Sequence, residues 1–339
     1  MDNCKYKYWC GIDVSEAELA VCLQGEDHVF QQRTFANRAA GHKQLVRWLE
    51  KAGAAGCVCL EATGVYSLDV ALVLSKAEGM EVGVLNPKKV SRFAATLCRS
   101  KTDTADAQVL SEYARRMPWK QWSAPAAGAL ELRAITRHWA ALTKQHTRQQ
   151  NRLSTAAAAS TTPRCVLRDL KRSLRQSAAS IAEMQRAALA LIGQDPELER
   201  RYQLLRSLPG IGEVSAPQLL GELMLLPEGL KVRQWVAHSG LDPAHHKSGS
   251  SVEKRARISR AGNSNLRRVL FMPALVASRR DPHLQGFYRQ LLERHKRPMQ
   301  ALMAVARKML HAIYGMFRRG SEYDGALLFP ELVLVPALS

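Results

Sequence analysis

The chain opens with three short apolar runs, Tyr8–Val14, Leu19–Gln24 and Val29–Phe35, separated by polar or glycine-containing turns. That spacing predicts an antiparallel meander of strands. Over Gly41–Lys51 the period changes to that of a helix, with Leu45, Val46 and Leu49 on one side and Lys43, Arg47 and Lys51 on another. Cys57–Leu60 then predicts a fourth strand, Val65–Glu78 an amphipathic helix, and Glu81–Leu85 a fifth strand stopped by Asn86-Pro87. Beyond this point helical spacing dominates. Ala105–Arg116 continues one helix, and Gly128 to Ile192 reads as two long antiparallel helices joined near Ser160–Pro163. A short helix over Trp235–Ser239 ends at Gly240, and helices follow at Ser264–Ser278 and Met299–Arg319. The stripe Leu302, Val305, Ala306, Met309 and Ile313 on the last of these reads as core. The stretch Lys247–Arg260 reads as a basic, polar loop, and residues after Ser321 as a tail. No apolar run reaches the roughly 20 residues that span a bilayer.

Four carboxylates give this pattern a chemical meaning. Asp13 lies in Trp9-Cys-Gly-Ile-Asp13-Val-Ser, Glu61 in Cys59-Leu-Glu61-Ala-Thr-Gly-Val-Tyr66, and Asp103 and Asp106 in Lys101-Thr-Asp103-Thr-Ala-Asp106-Ala-Gln. The first two each terminate an apolar run short enough to be a buried strand. The last two are three residues apart, so a helix sets them on one face about a turn apart. Carboxylates drawn together from strand ends and a helix face repel one another unless a cation sits among them. Hard oxygen donors select Mg²⁺ or Mn²⁺, and a pair of such ions can stabilise both the attacking and the leaving oxygen of a phosphodiester. Three strands plus a βαβ unit fit several α/β folds by length alone. The acid positions choose the RNase H arrangement among them.

Charge adds a second signal. Residues 1–110 carry 13 Lys+Arg against 13 Asp+Glu, so the excess of +19 belongs to residues 111–339. A neutral catalytic part joined to a basic remainder predicts a division between chemistry and grip on a nucleic-acid backbone. The seven cysteines are scattered without a C-x-x-C pair, which argues against a disulfide framework or zinc site. Cys57 and Cys59 read as reduced packing residues on one strand face. The N-terminus has no apolar signal core, and the expected location is the cytoplasm. The expected domains are 1–120, catalytic; 121–200, a helical coiled coil; 201–320, a mostly helical third domain; and 321–339, a tail. The helical pair is open to two readings, a scaffold or a dimerising or nucleic-acid-spanning coiled coil.

Within the third domain, Leu208-Pro-Gly-Ile-Gly-Glu213-Val-Ser resembles the hairpin of a helix-hairpin-helix element, whose backbone N–H groups approach phosphates. The run His238-Ser-Gly-Leu-Asp-Pro-Ala-His-His-Lys-Ser248-Gly-Ser-Ser-Val252 leads into a strongly basic stretch. Lys247, Lys254, Arg255, Arg257, Arg260, Arg267 and Arg268 face a single acid, Glu253. These cations are the expected nucleic-acid contacts. Ser248, flanked by glycine and surrounded by positive charge, is a candidate nucleophile toward a phosphodiester.

The two halves together resemble the DEDD transposases of the insertion-sequence one-ten family, which includes the Piv and MooV site-specific invertases. The motifs that carry the resemblance are Gly11-Ile-Asp13-Val-Ser, Leu60-Glu61-Ala-Thr-Gly-Val-Tyr66, Asn86-Pro87 and Lys101-Thr-Asp103-Thr-Ala-Asp106-Ala. In the C-terminal half they are Leu208-Pro-Gly-Ile-Gly, Gly240-Leu-Asp-Pro, Lys247-Ser-Gly-Ser, Ile258-Ser-Arg-Ala-Gly-Asn263 and Leu266-Arg-Arg. The resemblance spans about residues 8–320. It implies a RuvC-like first domain with Asp13, Glu61, Asp103 and Asp106 as a Mg²⁺-binding tetrad. It also implies a transposase domain whose serine forms a 5′-phosphoserine bond with DNA, here Ser248, with Ser250 and Ser251 as neighbouring alternatives. It further implies a bridge RNA that selects donor and target DNA, and a homo-oligomer that brings metal site and serine together between protomers. Ser239 stands where the family more usually has a small apolar residue, and its expected role is structural.

Two other readings stand beside the recombinase. A RuvC-like nuclease or junction resolvase would use water as nucleophile and make Ser248 incidental. A nucleic-acid scaffold protein would bind without cleaving. A covalent protein–DNA adduct separates the first from both of these.

Overall fold

The computed structural model describes residues 6–329 apart from 26, 28–29, 54, 63, 98–101 and 249–251; the side chains of 65, 245–248 and 252–256 also lie outside the described set. It divides into two compact units, Met1–Ala124 and Pro125–Ser339.

The first unit is a mixed sheet with helices on both faces. Strand β1 (Tyr8–Val14) pairs antiparallel with β2 (Glu18–Gly25), which pairs antiparallel with β3 (Phe30–Ala36). Helix α1 (Ala39–Ala52) leads to β4 (Gly56–Glu61), helix α2 (Val65–Leu74) to β5 (Met80–Leu85), and helices α3 (Pro87–Leu97) and α4 (Asp103–Arg116) close the unit. The sheet order is β3-β2-β1-β4-β5, with β4 parallel to both β1 and β5. The central strands β1 and β4 are buried along nearly their whole length, which is why they read as continuous apolar runs. β3 is an edge strand with Gln31, Gln32, Arg33 and Thr34 exposed, polar groups that discourage pairing with another chain.

Strand alternation sorts the core into two halves. Tyr8, Cys10, Ile12, Val58 and Leu60 pack with Leu45 and Leu49 of α1 and Val70 and Leu74 of α2. The intervening residues Trp9, Cys57 and Cys59 pack instead with Val90 of α3 and Val109, Leu110 and Tyr113 of α4. Cys57 and Cys59 are buried free thiols that share a face, as expected of packing residues. Burial pushes the Cys57 thiol far up. Helix α2 is shorter than the predicted 65–78, ending in turns after Leu74. Helix α3 was not expected at all: Pro87, read as a stop, occupies the first turn of a helix, where its missing N–H costs nothing.

The second unit is helical but for one hairpin. Helices α5 (Ala127–Ala158) and α6 (Arg164–Gln194) form the long antiparallel pair. There follow α7 (Pro196–Ser207), α8 (Ser215–Leu223), α9 (Val232–Ser239), the hairpin β6 (Pro243–Ser248) and β7 (Val252–Ile258), α10 (Ser264–Arg280), α11 (Pro282–Glu293), α12 (Pro298–Arg319) and the single turn α13 (Gly325–Leu328). Side-chain caps set the helix starts: Asp195 accepts from the N–H groups of Glu197 and Leu198, Asn263 from Asn265 and Leu266, and Asp281 from Leu284. The predicted α12 stripe, Leu302, Val305, Ala306, Met309 and Ile313, is buried in the unit's main core. Three expectations change here. Within the stretch expected as a loop, Lys247 and Ser248 close β6 and Val252–Ile258 form β7, with Ser248 opposite Val252. Tyr323 to Phe329, expected as tail, dock on the unit: Phe329 is buried in the core, and the Tyr323 hydroxyl donates to Asp281 Oδ1 at 3.1 Å. The loop between α7 and α8 spends its N–H groups internally, Ile211 on the Leu208 carbonyl and Gly212 on Ser215 Oγ, so these two are not offered to phosphate. Gly210, at φ 95°, instead lets the loop press on the Pro273 carbonyl of α10.

Candidate active site

Strand register brings Asp13 and Glu61 side by side. Paired positions on the parallel strands β1 and β4 run from Tyr8 with Gly56 to Ile12 with Leu60, and Asp13 and Glu61 are the next residues on each strand. Both fall on the alternation that holds Trp9, Gly11, Cys57 and Cys59, so both belong to the face covered by α4. Both are half-buried.

Helix α4 crosses that face in a fixed direction. Ser111 Oγ donates to the Trp9 carbonyl at 3.0 Å, and Gly11 lies against the backbone of Ala107 and Ser111. Moving from Trp9 toward Asp13 on β1 therefore means moving from Ser111 back toward Asp103 on α4. The first turn of α4, with exposed Asp103 and half-buried Asp106, stands at the end of the sheet where Asp13 and Glu61 lie. Thr102 caps this helix by accepting from Ala105 N at 3.2 Å, and two acids in the first turn suit the positive end of the helix. Four carboxylates from three elements are thus assigned to one sheet edge by the backbone. Their donor chemistry, hard oxygen only, fits Mg²⁺ or Mn²⁺. As placed, the side chains are not drawn into one coordination set: among the described residues no three His, Cys, Asp or Glu stand close enough to hold a metal ion.

The second predicted centre rests on the β6–β7 hairpin. Ser248 is the last residue of β6; its side chain, like those of Lys247, Lys254 and Arg255, lies outside the described set, as do Ser250 and Ser251 altogether. Arg257 and Arg260 are exposed, Arg260 with φ 55°, and Arg268 is exposed on α10. Arg267, among the expected nucleic-acid contacts, has a partner within the fold. Its guanidinium donates to the Ser239 carbonyl at 2.8 Å and so braces the end of α9. Ser239 is fully buried and donates to the Val236 carbonyl at 2.7 Å, a structural role as expected.

The hairpin stands on a rigid base that was not apparent from the sequence. Ser259 N–H donates to the Asp242 carbonyl, Arg260 N–H to that of Gly240 and Asn263 N–H to that of His238. Gly240 and Gly262 adopt positive φ where α9 and the chain after β7 pass too closely for a Cβ. Beneath this base Glu222 of α8 is nearly inaccessible and accepts two bonds from Arg137 of α5, at 2.7 and 3.0 Å, and one from Asn263 Nδ2 at 2.6 Å. Burial pushes the Glu222 carboxyl up, but the Arg137 and Asn263 hydrogen bonds outweigh it and hold it below the ordinary carboxylate range. An acid inside the apolar run Leu219-Leu220-Gly221-Glu222-Leu223 was the available signal.

A mixed α/β domain with acids at one sheet edge, followed by a basic helical domain, defines a class of DNA-processing enzymes, and comparison with known proteins narrows it. Residues 10–159 match a family described as transposase, and residues 202–289 match the transposase IS116/IS110/IS902 family. The chain belongs to this transposase family and is a DNA transposase or recombinase. It is 28% identical to the pilin gene-inverting protein of Moraxella bovis over 94% of this chain and 98% of that protein. The pilin gene-inverting protein of Moraxella lacunata matches at 28% over the same shares. An insertion element IS110 protein of Streptomyces coelicolor is 29% identical over 46% of this chain and 38% of its own length. Among the described residues no helix is long and apolar enough to cross a membrane.

Proposed function

We propose that the chain recombines DNA under the direction of a bridge RNA, cleaving and rejoining strands through a 5′-phosphoserine at Ser248. In this reading the first unit is an RNase H-like, RuvC-like domain, and Asp13, Glu61, Asp103 and Asp106 are the ligands of Mg²⁺. The observation that carries it is the register of β1 and β4, which sets Asp13 beside Glu61 below the N-terminal turn of α4. RNA guidance and the homo-oligomer rest on the family resemblance, and the concentration of positive charge after residue 110 supports a polyanionic partner.

The chemistry is a pair of phosphoryl transfers. Ser248 Oγ attacks the scissile phosphorus, the bond from phosphorus to the 3′ oxygen breaks, and the serine proton ends on that oxygen. The 3′ hydroxyl of the new partner then attacks the phosphoserine, the bond from phosphorus to Ser248 Oγ breaks, and the hydroxyl's proton returns to Oγ as the new phosphodiester forms. Each step exchanges one ester for another, so rejoining needs no outside energy source. Water as nucleophile would leave nicks instead. Bound Mg²⁺ supplies Lewis-acid polarisation of the phosphate oxygens. Arg257, Arg260 and Arg268, exposed around and beyond the hairpin, would hold flanking phosphates.

The test is to trap the reaction on a nicked core substrate, digest, and locate the modified residue by mass spectrometry. Ser248→Ala is expected to lose the adduct and keep DNA and RNA binding, and Asp13→Asn or Glu61→Gln to lose strand exchange with the fold intact. An adduct at Ser250 or Ser251 would move the nucleophile. Recombination by Ser248→Ala without any adduct, or undiminished activity in chelator, would overturn the reading.

A further inference from the structure

The outer half of the α5–α6 pair carries a charge that the fold does not use. Residues 144–175 hold eight Lys and Arg, all exposed, against one acid, Asp169. Asp169 is taken by Arg172 at 2.5 Å, and the other seven cations make no ion pair among the described residues. The inner half of α5 is fixed by burial of Leu132, Thr136 and Trp139, and no residue of its outer half is buried among the described residues. Between the two helices runs an open groove of about 800 Å³. Its floor is apolar, made by Val166, 42% exposed, and Leu170 of α6. Its α5 wall is the row Lys144, Arg148 and Arg152, one helical turn apart and therefore about 6 Å from charge to charge along the axis. That step is commensurate with successive phosphates of a nucleic-acid strand. A second copy of the chain would bring seven like charges against seven, so the charge selects a polyanion instead.

The neutral groups beside this row choose between nucleic acids. Thr147 and Thr155 line the same groove, and each hydroxyl already donates to a carbonyl of its own helix, that of Thr143 and of Asn151, both at 3.0 Å. With its proton committed, each oxygen is left as an acceptor. A DNA backbone presents only acceptors, whereas the 2′-hydroxyl of RNA is also a donor. We infer that the groove between α5 and α6 is an RNA-binding site, with phosphates on Lys144, Arg148 and Arg152, 2′-hydroxyls on Thr147 and Thr155, and a base or sugar against Val166 and Leu170. This deepens the proposed function by placing its RNA partner on a named surface, and it rests on that reading for its biological meaning only.

The test uses the full chain in chelator, so that cleavage plays no part, with an RNA stem-loop of mixed sequence and the DNA stem-loop of the same sequence. Lys144→Gln/Arg148→Gln/Arg152→Gln is expected to weaken RNA binding about tenfold and to flatten the plot of log affinity against log salt by about 2–3. DNA binding is expected to change far less. Thr147→Val/Thr155→Val is expected to lower RNA affinity several-fold and leave DNA affinity unchanged. The control removes three exposed cations at the same helical spacing elsewhere, Lys43→Gln/Arg47→Gln/Lys51→Gln on α1. Equal loss in the control, equal loss for DNA, or unchanged RNA binding in the groove variant would each overturn the assignment. Unchanged RNA binding together with lost self-association would give the groove to a second copy. Absence of a Ser248 adduct would count against the recombination chemistry and leave these binding results standing.

Discussion

Gly11 of β1 lies so close to Ala107 of α4 that even a methyl group on it would collide with the Ala107 carbonyl oxygen and the Ser111 nitrogen. Both are backbone atoms, which a side-chain rotation cannot move aside. Gly11→Ala is therefore expected to lift α4 from the sheet, at a cost of about 1–3 kcal/mol by the usual penalty for overpacking. The same movement would carry Asp103 and Asp106 away from Asp13 and Glu61. Strand exchange is expected to be lost at temperatures where the variant remains folded. Ser111→Ala is the comparison: it removes one hydrogen bond to Trp9, about 1 kcal/mol, and leaves the approach intact. Equal activity in the two variants would mean that the packing of α4 does not govern the carboxylate site.

The acids and helix α4, which bears two of them, were legible in the sequence, whereas the neighbouring helix α3 was not. Asp13 lies one residue before the end of β1 and Glu61 ends β4, strands whose other residues are nearly all apolar, and a charge there stands out. Asp103 and Asp106 share a helix face by spacing alone. Helix α3 carries a helical apolar period in Val90, Phe93, Ala94 and Leu97, and it was missed because Pro87 reads as a terminator rather than as a first-turn residue. The β6–β7 hairpin was hidden for a different reason. Lys247-Ser-Gly-Ser-Ser carries the composition of a loop, and Val252–Ile258 alternates with charged rather than apolar residues. Its pairing draws on a base assembled from Gly240, Asp242, Ser259 and Asn263, contacts that no local pattern records.

The Glu222 network under that base gives a second prediction. Asn263 donates to Glu222 through Nδ2 while its Oδ1 caps α10, so each end of the amide has one task. Asn263→Asp keeps the cap but sets a carboxylate against a buried carboxylate. Adding Glu222→Gln restores a donor, because the new amide at position 222 can give its N–H to the new carboxylate at position 263. The single Asn263→Asp is expected to cost about 1–3 kcal/mol, the penalty for a buried polar group without its partner. The double variant is expected to recover part of this in urea unfolding. Arg137 keeps both bonds to Glu222 in the single variant and faces a neutral amide in the double, so the recovery is expected to be partial. A double variant no more stable than Asn263→Asp would show that the amide–carboxylate contact does not hold the hairpin base.

Stability is expected to fall with acid in two stages. Burial lowers the affinity of His42, His238 and His311 for a proton, with Lys308 and Arg307 adding to the effect at His311. The folded state thus keeps these imidazoles neutral, while the unfolded chain takes up protons near pH 6.5. Protons bound by the unfolded state favour it, so stability is full above that value and declines as pH falls below it. The Glu222 carboxyl, held low in the fold, contributes stability above the ordinary carboxylate range and loses it only as pH falls further. Thermal melts from pH 7.5 to 4 should show the midpoint declining before carboxylates titrate. His311→Gln should flatten the first stage and leave the second. A midpoint constant between pH 7 and 5 would contradict the linkage.

Residues 322–329 make the last prediction, because they convert an expected tail into part of the core. Phe329 is 8% exposed, its ring stands 5.2 Å from that of Phe287, and Lys308 Nζ lies 4.8 Å from its centre. Tyr323 is tied at both ends, its N–H to Ser207 Oγ at 2.9 Å and its hydroxyl to Asp281, which also caps α11. Burial lowers the proton affinity of the Lys308 ammonium, whose Nζ also lies over the Phe287 ring at 5.7 Å. Phe329→Ala is expected to cost about 3 kcal/mol, the low end for a buried phenylalanine because a short segment laid over a core relaxes more readily than a central element. Ending the chain at Ser321 should cost more, since it also uncovers Phe287 and leaves Asp281 with only its cap. Urea midpoints measure both, and nucleic-acid binding should persist in Phe329→Ala below its transition. Unchanged midpoints after truncation would mean that these residues lie on the core without supporting it.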